Sequence, residues 1–247
     1  MANWNDPQPP RTGFGASPSL NGAAVGQVAY DAGLRRHMLS IYNYMASGVL
    51  LSGIVALLFA RSGMAEQVMA TPLKWLIVLA PLGFVFGMSF GANRMRTPTL
   101  QLLFWGFCVA MGLSMSTIFL VYTGASIATT FFATAGAFAG LSLYGYSTKR
   151  NLSAMGSFMV MGVIGLLIAM VVNMFLQSSA MQLAISVLGV LIFAGLTAWD
   201  TQRLRQEYYA LAGTQFAGKA VILGALSLYL DFINMFQFLL SFLGDRR

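Results

Sequence analysis

Residues 225–244 read ALSLYLDFINMFQFLLSFLG. A run of about 20 apolar residues covers about 30 Å as a helix, the thickness of a bilayer's hydrocarbon core. It is about twice the length that a barrel strand needs, so it predicts a membrane-spanning helix. Two residues do not suit such a helix: Asp231 and Asn234. An ionised carboxylate in the bilayer costs several kcal/mol, about 3 on insertion scales, so it faces the protein interior and finds a partner. One string therefore sets both a fold class and a candidate site.

Six further segments of similar character precede it, near 39–60, 75–93, 100–122, 125–146, 155–176 and 182–202, and the last crossing itself is placed near 220–243. The expectation is an all-α membrane protein, a seven-transmembrane helical bundle with the last helix central. Composition agrees. Of 247 residues, 57% are hydrophobic and 9% are charged, against roughly a quarter charged in soluble domains. A compact soluble fold of this length cannot hide so much apolar surface, which excludes a soluble enzyme. Low charge with high hydrophobicity also excludes a disordered chain.

Residues 1–34 are expected to form a flexible cytoplasmic tail, and 35–247 the transmembrane domain. The tail's early part is rich in Pro, Gly, Asn and Ser and lacks the basic start and apolar core of a signal peptide. Basic residues set the orientation. With the N-terminus in the cytoplasm, the inner side carries Arg11, Arg35, Arg36, Arg94, Arg96, Lys149, Arg150, Arg203, Arg205 and Lys219. The outer side carries only Arg61, Lys74, Arg246 and Arg247. The net charge of +7 thus reads as topology, and no nucleic-acid partner is expected. The two arginines that end the chain fall outside if the last segment crosses fully. A segment that dips in and returns would bring them inside, but a full crossing is the favoured reading.

Gly83, Gly87 and Gly91 on the second segment, and Gly136 and Gly140 on the fourth, repeat at a spacing of four. Small residues at that spacing let helices approach closely in lipid, so these positions are expected to pack. Cys108 can form no intrachain disulfide and reads as a small buried hydrophobe. His37 opens the first segment, and an interfacial histidine is most simply a solvated one.

Of seven acidic residues, Asp6, Asp31, Glu66, Glu207 and Asp245 fall in tails or loops. Asp200, after the apolar run Val187–Trp199, and Asp231 do not. The short connection makes the sixth and seventh segments antiparallel neighbours, so each aspartate is the other's expected partner. Two adjoining carboxyls share a proton, because ionising both in a low-dielectric site is unfavourable. That makes the pair a candidate pH switch. Asp231 lies 12 residues beyond Lys219, about 18 Å along a helix. The depths of the two acids match only if the sixth helix continues through about Arg205 and the cytoplasmic surface is indented. Ser227, Asp231, Asn234 and Ser241 share one face of the seventh helix. Their oxygen atoms suit a hard cation such as calcium, yet two carboxylates are too few for a tight site. Asp200, Asp231, Asn234 and Ser227 are the expected ion path. Arg94, at the end of the second segment, is a further candidate because a guanidinium pairs with a carboxylate in bidentate geometry.

The helix-seven string resembles the signature of the Bax-inhibitor family, also called the transmembrane Bax inhibitor motif family, with Asp231 and Asn234 in place. FAGLTAWDTQRLR (193–205) is similar to that family's sixth helix, with Asp200 at its acidic position. GLSMSTIF (112–119) and YGYSTKRNLSAMGSF (144–158) resemble its third helix and fourth loop, and Arg94 falls on its helix-two arginine. The resemblance covers about 35–245. It implies a multi-pass protein of the bacterial plasma (inner) membrane, with six helices around the seventh. It also implies a pH-sensitive calcium leak in which Asp200 and Asp231 form the gate and Arg94 competes for one of them. The chain departs from the family in its longer N-terminal tail and in lacking a lysine-rich C-terminus.

The expected function is therefore a calcium leak channel or transporter with Asp200, Asp231 and Arg94 as pH-sensing and gating residues. Calcium is the permeant ion, the bilayer is the surrounding partner, and no cofactor is required. Some bacterial relatives suggest an alternative, a membrane interaction protein that modulates a membrane-anchored ATP-dependent protease. An enzyme reading is disfavoured. Intramembrane aspartyl proteases place one Asp after Tyr and the other after Gly-x-Gly, whereas the contexts here are Trp199-Asp200 and Tyr229-Leu230-Asp231.

Overall fold

The computed structural model describes the backbone of residues 20–214 and 216–247, with side chains from residue 32 onward. The chain divides into two compact units, Met1–Arg36 and His37–Arg247. In the first, the described backbone is helical from Leu20, inside the segment read as a tail. Residues 1–19, which make up most of that expected tail, lie outside the described residues.

Nine helices follow in chain order among the described residues: α1 Leu20–Arg61, α2 Met64–Met69, α3 Leu73–Gly91, α4 Thr97–Met115, α5 Ile118–Val121, α6 Gly124–Ser147, α7 Ser153–Leu176, α8 Ser179–Leu211 and α9 Ala217–Leu243. Local chemistry sets several boundaries. Pro98 stands in the first turn of α4, where its missing N–H removes no helical bond. Thr123 and Ser178 cap α6 and α8, each side-chain oxygen accepting from a backbone N–H three residues on. The chain leaves α8 through Gly213, at φ 80°.

Seven of these stretches are long and apolar enough to cross a membrane, and they match the seven predicted segments to within a few residues at most ends. Two differences matter. The third crossing, Thr97–Val121, is broken at Ser116, whose hydroxyl donates to the Leu113 carbonyl at 2.7 Å, so α4 and α5 are separate pieces. The sixth continues to Leu211, well past its apolar run.

The last helix is the central one. Of its most apolar window 61% is buried, against at most 33% for any other crossing. It packs against α8, α6 and α4, while α7 lies on α8 and α3 on α4. Tyr229, Leu228 and Met235 of α9 are fully buried. Outward faces are greasy instead: Leu76, Phe90, Phe132, Phe158 and Phe175 are all largely exposed, as a lipid-facing surface requires.

α9 crosses the whole bundle. At its start, Lys219 Nζ donates to the Ala92 carbonyl at 3.0 Å, just past the end of α3. Beyond its end, Thr123 N donates to the Asp245 carbonyl at 3.1 Å, and Arg247 N to the Val121 carbonyl at 2.9 Å. The 27 residues between form one unbroken helix, about 40 Å long at 1.5 Å per residue. The last segment therefore crosses fully and does not turn back.

The glycine repeats do not pack as expected. A Cβ on Gly83, Gly87, Gly136 or Gly140 would meet nothing within 4 Å, and one on Gly91 would meet only the side chain of nearby Met95. A spacing of four names one face of a helix but not which way that face turns. The close approaches occur elsewhere. A Cβ on Gly145 of α6 would strike the Ala198 carbonyl of α8, and one on Gly156 of α7 would strike the Trp199 ring. Both contacts fall beside Asp200.

Candidate functional site

The segment Asp200-Thr201-Gln202-Arg203 lies in the extended part of α8, and each of its side chains is engaged. Gln202 is buried. Its Oε1 accepts from Leu152 N at 2.8 Å, and its Nε2 donates to the Arg150 carbonyl at 2.8 Å, so one amide holds the α6–α7 loop. Thr201 Oγ1 donates to Ser142 Oγ of α6 at 3.3 Å. Arg205 adds a bond to the Tyr146 carbonyl. These anchors fix the rotation of α8 and leave Asp200 turned toward α9.

There it faces Asp231 across the α8–α9 seam, close enough for the two side chains to share a hydrogen bond. Asp200 is 6% exposed and Asp231 4%. Asp200 Oδ1 and Asp231 Oδ2 are buried, and no N–H or hydroxyl among the described residues reaches either in hydrogen-bond geometry. Two carboxylates cannot donate to one another, so a hydrogen bond between these side chains forms only when one of them holds a proton. Both depth conditions hold: α8 runs on to Leu211, and the surface is indented beside it. The indentation is a cavity of about 330 Å³ whose lining includes Asn93, Arg203, Glu207, Phe216, Lys219 and Ser227.

Arg203 stands between that cavity and the acids. Its Nη2 is 3.0 Å from Asp200 Oδ1, a charge contact rather than an aligned hydrogen bond. The same Nη2 donates to Ser227 Oγ at 3.2 Å, and Nε lies 3.5 Å from Glu207 Oε1. The guanidinium also sits 4.9 Å from the centre of the Trp199 ring, within cation–π range. Arg203 and Glu207 escaped the sequence reading, one counted among topological charges and the other as a loop acid. The signal was present: Asp200, Arg203 and Glu207 are spaced three and four apart, one face of a helix that continues past its apolar run.

The polar stripe of α9 faces α8 at three of its four positions. Ser227 meets Arg203, Asp231 meets Asp200, and Ser241 accepts from Ser186 at 3.1 Å and from Gln182 at 3.2 Å. Asn234 instead donates to the Leu230 carbonyl of its own helix at 2.8 Å. Between Asp231 and Ser241 the seam is closed by aromatic packing, with Phe193 and Phe238 stacked at 5.9 Å. The order along the seam is a cavity, a cation at its floor, a buried acid pair, then a stack of rings.

Arg94 lies outside this cluster. It is exposed in the loop after α3, and among the described residues no ion pair joins it to an acid. It lines a second surface hollow with Arg96, Phe216 and Lys219, and the last two also line the first cavity. His37 is buried rather than solvated, its ring 5.3 Å from that of Tyr208. Cys108 is fully buried, as expected. No group of three or more His, Cys, Asp or Glu side chains that could hold a metal occurs among the described residues.

A family profile described as "Inhibitor of apoptosis-promoting Bax1" matches residues 34–247. The chain is 46% identical over 219 residues to the uncharacterized protein RP147 of Rickettsia prowazekii, covering 88% of this chain and 93% of that protein. It is 42% identical over 220 residues to the inner membrane protein YbhL of Escherichia coli K12, covering 87% and 94%. It is 35% identical over 218 residues to the uncharacterized membrane protein SpyM3_0260 of Streptococcus pyogenes, covering 87% and 94%.

Proposed function

The chain belongs to the Bax-inhibitor family of membrane proteins, and from that premise we propose that it is a pH-gated calcium leak pathway of the bacterial inner membrane. The observation that supports this reading is the approach of Asp200 and Asp231: two buried carboxyls on neighbouring helices, with no N–H or hydroxyl among the described residues donating to Asp200 Oδ1 or Asp231 Oδ2.

The sign of the pH response follows from the chemistry. With one proton shared, the pair is a hydrogen bond that joins α8 to α9 and keeps the seam shut. Loss of that proton leaves two like charges in a low-dielectric site, which either part the helices or draw in a cation. Flux therefore rises as pH rises through the loss of the shared proton. Calcium is the cargo and moves down its gradient, so no energy source or cofactor is required. Its oxygen contacts along the seam are Ser227, Asp200, Asp231 and Asn234 once that amide turns away from Leu230. Two carboxylates with water completing the shell give weak binding, which suits permeation.

Orientation is part of the proposal. The basic loops and the 330 Å³ cavity lie at one end of the bundle, and by the positive-inside rule that end is the cytoplasmic one. Arg94, unpaired at the rim among the described residues, is the cation available to Asp200 after the helices part. Calcium entry into liposomes containing the purified protein tests the proposal. The native chain should carry calcium with a pH response, and Asp200→Asn with Asp231→Asn should abolish that response. An unchanged response in the double variant rules the pair out as the gate.

A further inference from the structure

Arg203 makes four contacts that no single structural role explains. A surface arginine is held by one acid, and a buried one by an aligned fork. This guanidinium has neither arrangement. It is drawn to Asp200 at 3.0 Å, to Glu207 at 3.5 Å and to Ser227 at 3.2 Å, and it lies over Trp199. The side chain is 35% exposed, with one part in the cavity and the other against a carboxylate that is 9% exposed. Nε is buried and makes no hydrogen bond. Such a cation is held by charge but by little directional bonding.

Its position matches that of a permeating cation. An ion moving from the cavity toward the acid pair must pass Ser227 and reach Asp200, and the guanidinium already occupies both. We infer that Arg203 is a tethered cation plugging the cytoplasmic mouth, which an entering divalent ion must displace from Asp200 toward Glu207. The inference rests on the calcium-leak reading for its cargo, though not for its geometry. Asp200 lies three residues before Arg203 and Glu207 four after, so the side chain can exchange one acid for the other without any backbone movement. Glu207 is thus the receiving acid, and Trp199 is a ring surface that the guanidinium keeps in either position. Lys219 also lines the cavity, but it is committed to the Ala92 carbonyl at 3.0 Å and does not substitute.

Two readouts test this. In calcium-loaded liposomes at fixed pH, Arg203→Gln should raise flux by about fivefold, the change expected for losing one partly solvated ion pair. Arg203→Lys should fall between it and the native chain, because it keeps the charge but not the planar stack on Trp199. The second readout needs no flux. In Ser227→Cys, the uncharged reagent N-ethylmaleimide should label slowly, and millimolar calcium should speed labelling by displacing Arg203 toward Glu207. In Ser227→Cys with Arg203→Gln, labelling should be fast with or without calcium. The native thiol, Cys108, is fully buried, so the unmodified chain serves as the blank. Equal labelling of the two variants, or no effect of calcium on the first, overturns the plug. If the native chain carries no calcium while labelling follows the expected pattern, the leak reading fails and the plug stands. If calcium flux is present but Arg203→Gln leaves it unchanged, the plug fails and the leak stands.

Discussion

Asp200 faces Asp231 on one side and Arg203 at 3.0 Å on the other, whereas Asp231 enters no salt bridge among the described residues. The two acids are therefore unequal. Under the proposed gating, Asp231→Asn replaces the shared proton with an amide N–H that can donate to Asp200 at any pH and leaves the Arg203 contact in place. That variant should stay closed, with calcium flux low and flat across the pH range. Asp200→Asn also removes the partner of Arg203. It should be less stable than Asp231→Asn by on the order of 1 kcal/mol, since Arg203 is partly solvated and retains Glu207. Thermal unfolding in detergent, read beside flux, checks the order.

Ser52 and Tyr229 give a second asymmetry. Their oxygens are 2.6 Å apart, and Ser52 Oγ also lies 2.7 Å from the Cys108 carbonyl, which ties α1, α9 and α4 together. Ser52→Ala strands a fully buried phenol, at a cost of about 1–3 kcal/mol. Tyr229→Phe strands nothing, because Ser52 can still donate to Cys108, and should cost about 1 kcal/mol or less. Melting temperatures of the two variants should differ in that order. The reverse order would mean that this bond is not what the buried phenol contributes.

Gly145→Ala and Gly136→Ala lie on the same helix with opposite surroundings. A methyl at 145 strikes the Ala198 carbonyl, while one at 136 meets open space. The first should destabilise by about 1–3 kcal/mol and, by shifting α8 beside Asp200, blunt the pH response. The second should leave both unchanged. Thermal unfolding together with flux distinguishes them.

Which parts of this were legible beforehand follows from what each signal encodes. Apolar length located seven crossings, and the cost of charge in lipid singled out Asp200 and Asp231, because both are properties of a segment alone. The need to match their depths correctly demanded a longer sixth helix, which runs to Leu211. Glycine spacing failed because periodicity identifies a face without its direction: Gly83 and Gly136 look into open space, while Gly145 and Gly156, outside any repeat, make the close contacts. Arg203 was hidden because a basic residue at a helix end already had an explanation in topology. Its contacts with Asp200, Ser227 and Trp199 exist only once α8 and α9 are packed.

Gln202 offers a check on how the pair is positioned. Replacing it with Leu removes the partners of Leu152 N and the Arg150 carbonyl, both satisfied at 2.8 Å by one amide. The α6–α7 loop should loosen, and hydrogen exchange at Leu152 should quicken, while Thr201 and Arg205 still hold α8 and keep the acids in place. Flux should change far less than in Asp231→Asn.

The shared proton is tested most directly by calcium flux through the purified native protein in liposomes, with external pH stepped upward and the calcium gradient held constant. Flux should be small at acid pH and climb as the proton is lost. Flux no greater than that of empty liposomes at every pH, or flux indifferent to pH, would contradict it.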